Sequence, residues 1–211
     1  MKFSILFILC CCLSFSVQAQ LKIGVKGGIS TYDLGSGDLL VVDQATLDTF
    51  RLGIDKANFG FHAGIILRGM MGKAFFLQAE ALFNSNKVDY SWENLDDTAP
   101  KSILTETYNN LDIPLILGLK AGPLCFNAGP VAHIYLNSSS DLKAITQFEE
   151  RFKKATFGWQ GGVGINIWKI LLEVRYEGNF NKAGEHFRFF GNQYTFSNNP
   201  SRILFSAGLL F

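Results

Sequence analysis

Residues 157–180 read FGWQGGVGINIWKILLEVRYEGNF, and the fold turns on them. On the first arm Phe157, Trp159, Gly161, Val163, Ile165 and Ile167 alternate with Gly158, Gln160, Gly162, Gly164 and Asn166. On the second, Ile170, Leu172, Val174, Tyr176, Gly178 and Phe180 alternate with Leu171, Glu173, Arg175, Glu177 and Asn179. Successive side chains of a strand point to opposite faces, so a period of two predicts two strands. A turn at Trp168-Lys169 sets Ile167 opposite Ile170 and brings both apolar sets onto one face. That face carries no charge, while the other carries Glu173, Arg175 and Glu177. A soluble sheet would bury the apolar face; a transmembrane barrel turns it to lipid and lines its lumen with the polar one.

The same alternation recurs outward from this hairpin. Strands are predicted over 21–31, 58–68, 74–86, 109–119, 124–136 and 201–211, which makes eight with the two arms. Long polar segments (32–57, 87–108, 137–155, 181–200) alternate with short links at 69–73, 120–123 and 168–169. Leu39-Leu40-Val41-Val42, inside the first long segment, has the character of a strand above the membrane but no assignable partner. Pro114 interrupts the 109–119 strand, and a residue with no N–H demands a bulge or a missing ladder bond. The expectation is an all-β, eight-stranded antiparallel up-and-down transmembrane β-barrel, with short periplasmic turns and four long extracellular loops.

Lipid is favoured over water on the outside by bulk. The apolar faces hold many Phe, Leu and Ile, and an eight-stranded interior only just accommodates side chains. The opposite faces hold Lys26, His62, Arg68, Glu80, Asp112, His133, Glu173, Arg175, Glu177 and Arg202, with many glycines. Inside a narrow lumen such charges must pair, because an unpaired buried charge is costly. The expected lumen is packed and polar.

The N-terminus supports export. Lys2, the apolar run Phe3–Phe15 and Ser16-Val17-Gln18-Ala19 form a signal peptide pattern, with cleavage after Ala19. Residues 1–19 are therefore set apart as a cleaved signal, and 20–211 form one barrel domain. Cys10, Cys11 and Cys12 leave with the signal, so Cys125 alone remains and makes no intramolecular disulfide. Without Lys2 the basic and acidic residues balance, which leaves no cationic excess for nucleic acid. After the signal no run of about 20 apolar residues remains for a spanning helix.

Several short motifs, in order along the chain, resemble one family. They are Lys22-Ile23-Gly24-Val25-Lys26-Gly27-Gly28, Gly60-Phe61-His62-Ala63-Gly64, Leu77-Gln78-Ala79-Glu80, Leu111-Asp112-Ile113-Pro114-Leu115, Ala128-Gly129-Pro130, Gly161-Gly162-Val163-Gly164 and Glu173-Val174-Arg175-Tyr176. The chain resembles the PorT-like outer membrane β-barrel family of Bacteroidota, departing from it at Ala79, where members usually carry proline. The resemblance implies an outer-membrane barrel inserted by the barrel assembly machinery, which reads a terminal aromatic residue such as Phe211. Some members are tied to the type IX secretion system.

Candidate chemistry is sparse. Glu80, Glu173 and Glu177 could act as acid and base, but a lumen ion network with Arg175, Arg202 and Lys26 accounts for them better. His62, His133 and Cys125 make a weak metal signal, and both histidines are expected to be satisfied inside the lumen. His133 with Ser138-Ser139-Ser140 lacks an acid for a triad. The Gly-Gly pairs at 27–28 and 161–162 precede no helix and are no phosphate loops. Asp97-Thr98-Ala99 resembles a short O-glycosylation sequon. The loops therefore carry the functional surface, above all 181–200 with Phe187, Phe189, Phe190, Tyr194 and Phe196, as a strand extension or a contact for a partner or lipopolysaccharide. No catalytic, cofactor-binding or metal residue is assigned. The expected role is structural or interactive, accessory to protein secretion, with outer-membrane lipid, lipopolysaccharide and an envelope protein as partners. The alternatives are an enzyme acting on lipid A or surface polymers, and a narrow small-solute pore.

Overall fold

The computed structural model describes residues 21–33, 38–42, 49–57, 59–95, 102–140, 148–150, 155–180, 187–189, 192–194 and 199–211. The signal peptide, His186, Phe190, Phe196 and the Asp97-Thr98-Ala99 sequon lie outside them. In chain order the strands are β1 (Leu21–Asp33), β2 (Asp38–Val42), β3 (Thr49–Ala57), β4 (Gly60–Met71), β5 (Phe75–Asn94), β6 (Ser102–Ala121), β7 (Leu124–Ser140), β8 (Phe148–Glu150), β9 (Ala155–Ile167), β10 (Ile170–Asn179), β11 (Phe187–Phe189), β12 (Asn192–Tyr194) and β13 (Ser201–Leu210). Eight of them close a ring, β1-β4-β5-β6-β7-β9-β10-β13 and back to β1, antiparallel at every junction. This is the expected all-β barrel.

The short links are tight turns. Ile170 pairs with Ile167 as the alternation requires, and Trp168 between them adopts φ 56°. Gly72 and Gly122 take positive φ at the two other turns, a conformation glycine enters without strain.

Burial decides which way the faces point. Phe61, Leu115, Val163 and Leu209 are 53, 48, 50 and 44% exposed, whereas Glu173 and Arg175 are 3 and 1% exposed. The greasy side chains face out and the charges face in. Trp159 and Tyr176, with ring centroids 5.6 Å apart, sit on the outer face toward the long-connection end. Phe61 and Phe83 lie 6.1 Å apart on the same face. Trp168 and Phe211 are exposed at the short-turn end. An apolar band between aromatic rims is the profile a bilayer imposes on a barrel.

The ladder lapses where Pro114 predicts. Between β5 and β6 pairing runs to Ala79↔Leu115 and resumes at Leu82↔Asp112. Between β6 and β7 it runs to Pro114↔Val131 and resumes at Leu117↔Ala128, skipping Pro130. Register is unchanged across both lapses, so the sheet accommodates the prolines by missing bonds, not by a bulge.

Two expectations need correction. The lumen is not polar throughout. Ile66, Phe76, Ile116, Leu171 and Leu210 point inward near the short turns and are buried, and Gly118 leaves room for the Phe76 ring, which a Cβ there would strike. The long connections are also not plain loops. β5 and β6 are 20 residues each, whereas a tilted crossing needs about 9–11. Their distal halves pair with each other from Asn86↔Tyr108 to Trp92↔Ser102. β3 adds to the distal half of β5, and β2, which contains the unplaced Leu39–Val42, adds to β3. A wall β2-β3-β5-β6-β7 thus stands above one side of the barrel. Residues 187–189 and 192–194 form a hairpin that joins 148–150 in a separate three-stranded sheet; within 181–200 the strand character is present, though not as a continuation of the barrel.

Candidate functional site

The inward charges come from strands remote in sequence and meet in two clusters. In the first, Lys26 Nζ lies 2.8 Å from Glu173 Oε2 and 3.1 Å from Glu80 Oε2. Arg175 Nη2 reaches Glu80 Oε1 at 2.8 Å and Glu173 Oε2 at 2.9 Å. Asn127 donates to Glu173 Oε1 at 3.0 Å, and Gln78 donates to Glu80. Arg68 stacks over Phe76, 4.2 Å from the ring centroid, donates to Gln78, and brings Nη2 to 3.8 Å from Glu173. Each carboxylate is surrounded by donors, as a charge out of water requires.

The second cluster lies further toward the wall. Arg202 Nη2 donates to Asp112 Oδ2 at 2.5 Å and Glu177 Oε2 at 2.9 Å, and its Nε is 2.6 Å from Glu177 Oε1. His133 Nδ1 meets Asp112 Oδ1 at 2.7 Å, while its Nε2 is 3.6 Å from Glu177 Oε1. Asn84 donates to Asp112 at 2.6 Å. Gln160 links the clusters, accepting from Arg175 at 3.1 Å and donating to Glu177 at 2.7 Å. In the two clusters Lys26, Arg68, Arg175 and Arg202 balance Glu80, Asp112, Glu173 and Glu177.

Above the barrel, the inner side of the wall is aromatic and apolar. Val41, Leu52, Val88 and Tyr90 are buried there, and Phe50 stacks on Trp92 at 4.9 Å. Tyr108 donates to Glu106 at 2.5 Å and lies 2.9 Å from the Tyr90 hydroxyl. Burial, and then the Glu106 carboxylate beside it, push the Tyr108 phenol well above its ordinary range, so it remains a donor.

The candidates of the sequence separate on this geometry. Glu80 and Glu173 are members of the ion network, as is Glu177. His62 is buried with Nε2 2.8 Å from Ser206 Oγ, and among the described residues its Nδ1 has no hydrogen-bond partner. This Ser–His pair was not anticipated; the parity that turns both inward was the available signal. Among the described residues no acid orients it, and the pair is buried inside the barrel lumen. His133 and Ser138 are not brought together: five residues of strand separate them by about 16 Å, and Ser138 Oγ instead accepts from Tyr135 at 2.9 Å. Cys125 is buried, with Asn166 Nδ2 3.1 Å from its sulfur, and lies near the start of β7, well before the Asp112-paired His133 on the same strand.

Residues 16–184 match the outer membrane protein beta-barrel domain family. The chain belongs to that family. It is an integral outer-membrane protein. No helix among the described residues is long and apolar enough to cross a membrane; this chain crosses with strands. Its fold is similar to the solid-state NMR structure of outer membrane protein AlkL in DMPC lipid bilayers, at 10% identity over 89% of this chain and 90% of that one, with a TM-score of 0.47. No curated protein matches the chain.

Proposed function

We propose that this barrel is a closed anchor, not a conduit, and that it presents its extracellular wall to an envelope protein as an accessory to protein secretion. The observation that carries this is the extension of β5 and β6. About ten residues of each strand continue beyond the belt, on the order of 33 Å along the strand, and they recruit β2 and β3 as further strands. A barrel needs no such wall to stay in a membrane. The barrel below offers no path, with the ion network across its middle and Phe76 among apolar side chains at its periplasmic end. The resemblance to PorT-like barrels, some of them tied to type IX secretion, supports the choice of secretion. On this reading the protein catalyses nothing. Outer-membrane lipid and lipopolysaccharide bathe its belt, and Phe211 is what the assembly machinery reads.

The test excises residues 88–106 and joins the strands by a two-residue turn. The expected outcome is a barrel that still inserts, shown by heat-dependent gel mobility, but no longer co-purifies with its envelope partner or supports secretion. Unchanged partner recovery and secretion in that variant would overturn the proposal.

A further inference from the structure

We infer that the outer half of the lumen holds a divalent cation of the zinc class, bound by His133 Nε2 and Glu177 Oε1, with Asp112 orienting the imidazole. The three residues each place a donor atom within 4.8 Å of the others, all buried. They come from three strands, Asp112 on β6, His133 on β7 and Glu177 on β10.

The argument rests on what faces His133 Nε2. Asp112 Oδ1 can only accept, so the 2.7 Å contact places a proton on Nδ1. In the neutral ring Nε2 then presents a bare lone pair. It faces Glu177 Oε1 at 3.6 Å; among the described residues Nε2 has no hydrogen-bond partner, while Oε1 also meets Arg202 Nε at 2.6 Å. Two lone pairs do not face each other in a buried site without a positive charge between them. A direct hydrogen bond is excluded at that distance. A water bridging both at tetrahedral angle would hold them about 4.6 Å apart. Two metal bonds of about 2.1 Å at a near-tetrahedral angle hold them about 3.4 Å apart, close to the observed spacing.

Supporting contacts agree. Asp112 and Glu177 bring two negative charges and Arg202 one positive, so with neutral His133 this cluster taken alone carries one net negative charge, which draws a cation. Arg202 Nη2 occupies Asp112 Oδ2 and Glu177 Oε2, and Arg202 Nε shares Glu177 Oε1 from another side at 2.6 Å. A carboxylate hydrogen-bonded to Nδ1 of a histidine that ligates through Nε2 is the common support for such a ligand. An imidazole and a carboxylate suit zinc and its neighbours better than calcium or magnesium, which take oxygen alone.

The experiment uses the full chain in a His186→Ala background, which removes the one histidine outside the described residues, refolded into detergent with Zn2+ or Co2+ and dialysed. Elemental analysis should find one ion per folded barrel, and Co2+ should give a d–d absorption band. His133→Gln should abolish both, Asp112→Asn should weaken affinity about 10–100-fold, and His62→Gln should change neither. Folding is followed by heat-dependent gel mobility. If His133→Gln does not fold, 15N shifts of the parent protein decide, since added Zn2+ should move His133 Nε2 and leave His62 in place. Less than a tenth of an ion per folded barrel, equal binding by His133→Gln, or a doubly protonated His133 ring unmoved by Zn2+ would each overturn the inference.

Discussion

Glu173 receives Lys26, Arg175 and Asn127, with a fourth donor, Arg68, at 3.8 Å. Neutralising it leaves Lys26, Arg68 and Arg175 facing Glu80 alone. Glu173→Gln should therefore destabilise the barrel by about 3–5 kcal/mol, the range for breaking one side of a buried ion pair. The check is urea unfolding in lipid vesicles. Glu93 pairs with Arg51 at 3.6 Å, but both side chains are at least 40% exposed. Glu93→Gln should stay within about 1 kcal/mol of the parent in the same assay. Gly118 sits over the Phe76 ring with no room for a Cβ, so Gly118→Val should lower the urea midpoint and Gly118→Val with Phe76→Ala should recover part of it. At this scale, parity showed which charges face inward. It did not show who pairs with whom. Lys26, Glu80 and Arg175 are brought level by the stagger of the strands around the ring, and stagger leaves no mark on any one strand.

The 157–180 hairpin was legible to the residue because one face of it meets lipid and the other does not. The distal halves of β5 and β6 were missed for a related reason. Through Phe75, Leu77 and Phe83 the outward positions of β5 are apolar, but beyond them the outward positions are Lys87, Asp89, Ser91 and Glu93, while Val88 and Tyr90 turn inward. The strand keeps its phase while hydrophobicity changes sides, since outside the bilayer water lies on the outer face. A search for apolar-out alternation stops at that boundary, although the reversal itself was in the sequence. The same logic sets a prediction for the belt. Leu115→Arg places a guanidinium on the lipid face and should cost about 2–4 kcal/mol near the midplane, measured by unfolding in vesicles, whereas an arginine at Ser91 should cost little.

For the whole molecule, planar bilayer recordings should show no conductance steps from the folded protein, because Arg175, Arg202 and Phe76 are all buried across the barrel. Steady ion steps would show that these side chains leave a path. The network also governs how the barrel comes into being. Lys26 lies on β1, Glu80 on β5, Glu173 and Glu177 on β10, and Arg202 on β13, so its partners span nearly the entire chain. An incomplete ring held in hydrocarbon would expose carboxylates and guanidinium groups whose partners had not arrived. Half-built forms are thus heavily penalised, and the last seam, β1 to β13, satisfies many at once. Closure should behave as a single all-or-none event, with no lasting population of open sheets in the membrane.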